Sequence, residues 1–160
     1  MKKLSLFAII LITLMLSACG KGVDFTKTNT YTLNNLSYSI PSVFKENKKS
    51  DDEYDFGEEY SLNSASYSYS DKDHSCYVYL SESNYEFDNY KEMVKMDLNT
   101  NNDSVYSTKL INNISWGYGS KDNEYIYLAN YNKKGYMVTY SDTLKCDGVK
   151  EIIENSLKFN

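Results

Sequence analysis

Only a few residues in this chain have the side chains for covalent, acid–base or metal chemistry. The 160 residues include three cysteines and one histidine. A Ser-His-Asp or Cys-His centre must be built on His74, which lies between Lys72-Asp73 and Ser75-Cys76 in a stretch that reads as a polar turn. A nucleophile needs a base held within hydrogen-bond reach, and nothing in that spacing supplies one. Zinc fares no better, because His74 and Cys76 give two ligands where a tetrahedral site wants three or four. Carboxylates cluster at Asp51-Asp52-Glu53 and Glu58-Glu59. Such pairs can act as acid and base or hold calcium loosely, but the Asp-x-Asp-x-Asp-Gly spacing of a calcium loop is absent, and a solvated acidic loop is the simpler reading. Gly117-Tyr118-Gly119 lacks the rest of a phosphate-binding loop. The expectation is therefore no catalytic residue, no metal site and no cofactor.

The remaining reactive group is Cys19. Lys2 and Lys3 are followed by the apolar run Leu4 to Leu16, and then by Ser17-Ala18-Cys19. That order is the positive, apolar and small-residue plan of an export signal. Leu16-Ser17-Ala18-Cys19 resembles a bacterial lipobox, in which the cysteine thiol takes a diacylglycerol and becomes the first mature residue. The apolar run is about a dozen residues, well short of the ~20 a spanning helix needs. The resemblance thus implies residues 1–18 as a lipoprotein signal peptide and Cys19 as a lipid anchor. The membrane becomes the first partner. The expected location is the extracytoplasmic face of the cell membrane in an AT-rich, Gram-positive bacterium.

Composition bounds the domain that follows. All 17 basic residues are lysine, so the mature chain from Cys19 has 15 lysines against 22 Asp and Glu, a net charge near −7. An acidic chain without arginine is poorly equipped for phosphate contacts or base readout, which excludes nucleic acid as a partner. The absence of arginine itself reads as codon bias of an AT-rich genome. About 142 mature residues suffice for one core. With 17 tyrosines and a single proline, the chain reads as folded and β-rich.

Cys76 and Cys146 remain after Cys19. An even pair in an exported chain permits one disulfide; two unpaired, buried thiols are the alternative.

Periodicity supplies the frame. Residues 19–30 read as a lipidated tether of small and polar residues, and 31–160 as one globular α+β domain. Strands are expected at Leu36–Ile40, Tyr54–Leu62, Ala65–Ser70, Cys76–Leu80, Val105–Ile111, Ile114–Tyr118, Tyr125–Tyr131 and Tyr136–Tyr140. Asn112-Asn113 suits a two-residue hairpin. Asn89 and Glu92 have capping-box spacing at the head of a helix whose stripe is Tyr90, Met93, Val94 and Leu98. Asp147 is the expected cap of a closing helix with Val149, Ile152, Ile153 and Leu157 on one face.

The strands offer one candidate surface. In a strand, alternate residues share a face, so Tyr77 and Tyr79 oppose Val78 and Leu80, and Tyr125 and Tyr127 oppose Ile126 and Leu128. Read together, the four tyrosines form a candidate binding face for a protein or glycan, since tyrosine supplies rigid amphipathic contact. The competing reading is a helix packed over them.

The order of these elements resembles the PsbP-type fold. An opening strand has the form Leu36-Ser37-Tyr38-Ser39-Ile40-Pro41-Ser42. A mid-chain helix, a meander carrying Trp116, an aromatic hairpin from Tyr125 to Tyr140 and a helix ending Ser156-Leu157-Lys158-Phe159 follow. The resemblance covers residues 31–160 and implies an antiparallel sheet sandwiched by helices. It also implies a binding or accessory module at the cell envelope, not an enzyme. The alternative is an envelope hydrolase working through carboxylates.

Overall fold

A computed structural model of the chain describes residues 23–47 and 62–160. The signal segment 1–18, Cys19, both acidic clusters and most of the strand expected at Tyr54–Leu62 lie outside the described residues.

Three tight turns organise the second half of the chain. Asn112-Asn113, Asp122-Asn123 and Asn132-Lys133 all hold positive φ, between 47° and 67°. Asn and Asp tolerate that region because their short side chains bond locally. Paired positive-φ residues match the right-handed twist of the strands they join. Each turn closes a two-residue hairpin, with Ile111 opposite Ile114, Lys121 opposite Glu124 and Tyr131 opposite Lys134. Four strands result: β6 (Tyr106–Ile111), β7 (Ile114–Lys121), β8 (Glu124–Tyr131) and β9 (Lys134–Leu144). Earlier in the chain come β1 (Thr28–Leu33), β2 (Leu36–Pro41), β3 (Lys45–Glu46), β4 (Leu62–Ser70) and β5 (Ser75–Ser83). A two-residue β10 (Lys158–Phe159) ends it.

These strands form two antiparallel sheets. The larger has the order β3-β4-β5-β9-β8-β7-β6, and the smaller is β1-β2-β10. Among the described residues, two short helices complete an α+β architecture: α1 (Tyr90–Asp97) and α2 (Val149–Ser156). The sequence resemblance implies one sheet, but β2 pairs with β1 and β10 instead of joining the meander.

The core lies between the inner face of the large sheet and a second layer made of the small sheet and α2. Leu36, Tyr38 and Ile40 alternate into it from β2, and Val149, Ile153 and Leu157 enter from α2. Phe159 closes one end, stacked between Trp116 at 5.5 Å and Tyr131 at 4.4 Å. A smaller cluster under α1, made of Val94, Leu98, Ile126 and Leu128, covers part of the outer face.

Three expectations need correction. The folded domain begins before residue 31, because Val23 and Phe25 pack against the core and β1 begins at Thr28. Asp147 does not cap α2. Gly148, at φ 80°, holds the cap position without a side-chain bond, and the incoming chain is instead pinned by Cys146 N–H donating to Asp142 Oδ1 at 3.1 Å. At α1, Asn89 Oδ1 does accept from Glu92 N–H at 3.2 Å, but the Glu92 carboxylate turns to Lys95 at 3.1 Å and not back to the cap.

Candidate binding surface

Register decides where the tyrosines go. Residues paired directly across strands share a face. Leu80 pairs with Val138, Val138 with Tyr127, and Tyr127 with Tyr118. That row points into the core. Tyr79 pairs with Thr139, Thr139 with Ile126, and Ile126 with Gly119, and that row points outward. The candidate face of Tyr77, Tyr79, Tyr125 and Tyr127 is therefore divided. Tyr125 and Tyr127 lie on the inner face, and Tyr77 and Tyr79 on the outer one. The slip arises because β8 is apolar on both sides, so alternation within it cannot tell in from out.

The inner pair is closed by α2. Tyr127 is 1% exposed, and its hydroxyl donates to Glu154 Oε2 at 3.1 Å. Glu154 also pairs with Lys109 at 2.5 Å and Lys150 at 3.4 Å. Those lysines cover the rings of Tyr118 and Tyr125 at 5.0 and 5.2 Å. Burial pushes the Tyr127 phenol well above its ordinary value, and the charge of Glu154 adds to the effect. Burial also opposes the charge of Glu154, but the bond from Lys109 and the two lysine charges outweigh it and hold the carboxyl below its ordinary value. These tyrosines are core residues with satisfied or solvent-rimmed tips.

The outer face has two halves. Over β6, β7 and β8 it is filled by α1 and the segment before it. Gly117 and Gly119 make room, since a Cβ at either would meet Tyr90 or Val94 below 3.0 Å. Over β4, β5 and β9 the residues are small and hydroxylic. Ser64, Ser66 and Ser68 pair with Ser81, Tyr79 and Tyr77, which pair in turn with Met137, Thr139 and Ser141. Tyr77 is 40% exposed and Tyr79 half-buried. Where the two halves meet, Met93, Met96, Asp97, Ile126 and Met137 line a shallow hollow of about 370 Å³. Asp97 is exposed at the edge of this hollow, and partial desolvation by the neighbouring chain raises its carboxyl above the ordinary value, with the Glu124 charge adding to the shift.

His74 lies in the β4–β5 turn, where its Nδ1 is 3.0 Å from Asp71 Oδ1, and Tyr69 OH donates to Asp71 Oδ2 at 2.7 Å. Asp71 also accepts the N–H groups of Asp73 and His74. The group is a turn built around one carboxylate, and among the described residues no serine or cysteine is hydrogen-bonded to the imidazole. Cys76 and Cys146 are joined in a disulfide, with Cα atoms 6.2 Å apart. Among the described residues, no group of three or more His, Cys, Asp or Glu side chains is placed to hold a metal. No helix among them is long and apolar enough to cross a membrane.

Sequence reasoning missed the partly buried ion pair of Glu82, 2% exposed. Glu82 Oε1 accepts from Asn34 Nδ2 at 2.8 Å and from Lys134 Nζ. It joins the β1–β2 turn to β5 and β9. Its inward position follows from register, which no local pattern shows.

Comparison with known proteins adds no relative: the chain matches no protein-family model, no curated protein and no solved structure.

Proposed function

We propose that the chain is an exported lipoprotein, anchored through Cys19 on the extracytoplasmic face of the membrane, whose PsbP-like domain is a non-catalytic binding or accessory module. The observation that carries the reading is the Cys76–Cys146 disulfide, buried at 3% and 1% exposure. Disulfides persist in oxidising compartments outside the cytoplasm, which is where a lipobox at Cys19 would send the chain. An antiparallel sheet with a helix on either face supports the PsbP likeness.

The surface that suits a partner is the outer face around Tyr77 and Tyr79, with the hydroxyls of Ser66, Ser68, Thr139 and Ser141 about them. Aromatic rings set among small hydroxyls suit a polypeptide or a glycan at the envelope. The hydrolase reading has one supporting observation, the raised carboxyl of Asp97 near Glu124. Apart from Asp97 itself, the hollow is lined by methionines and isoleucine, which offer no second polar group to a scissile bond or to charge developing on it. Binding is the better account.

The test compares wild type with the Tyr77→Ser/Tyr79→Ser double variant in capture from solubilised envelopes and in cosedimentation with purified cell-wall polymer. The proposal expects retention to fall at unchanged melting temperature. Equal retention by both proteins contradicts it.

A further inference from the structure

We infer that the domain stands on the membrane in a fixed sense, with the β4–β5 turn and the Leu144-Lys145 corner against the lipid surface. The inference rests on the anchor proposed at Cys19 and adds which end of the fold meets the lipid.

The chain becomes part of the fold soon after Cys19. Val23 packs against the core. Phe25 is 8% exposed and seated among Phe44, Tyr69 and His74, at ring distances of 6.3, 5.6 and 5.8 Å. Just beyond it, Ser42 N–H donates to Lys27 C=O at 2.7 Å. The chain is therefore held from Val23 onward, and only Gly20, Lys21 and Gly22 separate Val23 from Cys19. Four peptide steps reach at most about 14 Å even when fully extended.

Phe25 marks one end of the large sheet. Tyr69 lies at the end of β4 and His74 in the β4–β5 turn. Ser75, which follows that turn, pairs with Leu144 at the end of β9. Asp142 N–H reaches Asn123 C=O at 3.0 Å, which brings the β7–β8 turn to the same end. The opposite end carries the Asn132-Lys133 turn and Phe159, which stacks on Tyr131. The nine residues of β5 separate the two ends by about 26 Å at 3.3 Å per residue. A tether of about 14 Å cannot turn the far end inward without lifting the near end away.

The near end also has a surface that suits a headgroup layer. Leu144 is exposed at 39%, exposed Lys145 follows it, and exposed Lys72 lies in the β4–β5 turn at the same end. Long amines can extend to the phosphate level while Leu144 meets the glycerol region. Asp73, Asp142 and Asp147 occupy the same end, so the contact is not driven by net charge. The short tether carries it.

The experiment uses full-length, lipidated protein in vesicles of phosphatidylcholine and phosphatidylglycerol that carry a headgroup acceptor. A donor is placed at position 72 or at position 133 through a bio-orthogonal side chain, which leaves the three cysteines as they are. Energy transfer should be several-fold stronger from position 72 than from position 133. It should be insensitive to salt, and it should level out when a flexible Gly-Ser stretch is inserted between Gly22 and Val23. Equal or reversed transfer, with protein still bound through Cys19, overturns the orientation. A difference that survives the insertion overturns the tether as its cause. Transfer that persists in Cys19→Ala instead overturns the anchor reading on which the inference rests.

Discussion

Val94 of α1 occupies the space that a side chain at position 119 would need, since a Cβ on Gly119 would lie 2.1 Å from Val94 Cγ1. The helix is therefore seated on bare backbone, and the fit depends on two residues of complementary size. Gly119→Ala should destabilise the domain by about 1–3 kcal/mol through overpacking. Val94→Ala in the same chain should recover part of that loss, a coupling that chemical denaturation of the two single variants and the double variant would measure. Additive losses would mean that α1 is not docked as described.

The two tyrosine pairs should respond differently to truncation. Tyr127 is 1% exposed and holds Glu154, so Tyr127→Ser should cost about 3–5 kcal/mol, as large-to-small core changes do. Tyr77 is 40% exposed, so Tyr77→Ser should cost less than about 1 kcal/mol. Urea denaturation of the two variants decides the matter. Comparable losses would place Tyr77 in the core as well.

The disulfide should contribute strongly, because it spans 70 residues and restricts the unfolded chain. Reduction of the purified domain should lower its stability by about 2–5 kcal/mol. A thiol assay on unfolded, unreduced protein should find no free thiol at Cys76 or Cys146. Two titratable thiols there would reject the bridge.

Stability should fall on acidification in a defined window. Burial acts to raise the Glu82 carboxyl, but the bonds from Lys134 and Asn34 outweigh it, leaving the carboxyl below its ordinary 4.5. The folded state therefore holds this proton less tightly than the unfolded chain. The contribution is complete above pH 4.5 and is lost as pH falls through the lower folded value. Glu154 acts in the same direction. Melting temperatures of wild type and Glu82→Gln should converge as pH drops below 4.5. A constant gap across that range would show that Glu82 is not the group titrating.

The residues that revealed structure in the sequence were those whose effects are local. Asn112-Asn113 implied a positive-φ turn, Asn89 implied a cap, and Val149, Ile153 and Leu157 implied a buried stripe. Each depends on neighbours within a few positions. The missed features depend on partners far along the chain. Gly117-Tyr118-Gly119 read as an uninformative Gly-x-Gly, yet its glycines are the seat of α1. The four tyrosines read as one face because alternation gives parity within a strand but not between strands, and only the register of β5, β9 and β8 separates them. Thr26 to Thr30 read as tether on composition, although Thr28 already pairs with Pro41.

The account's central claim is the lipid at Cys19, and intact-mass measurement of the mature protein taken from membranes tests it most directly. The account predicts a chain beginning at Cys19 with the added mass of a diacylglyceryl group on the thiol, and loss of membrane retention in Cys19→Ala. A mature chain with an unmodified Cys19 thiol, or a Cys19→Ala protein cut at the same place and still held in the membrane, would contradict it.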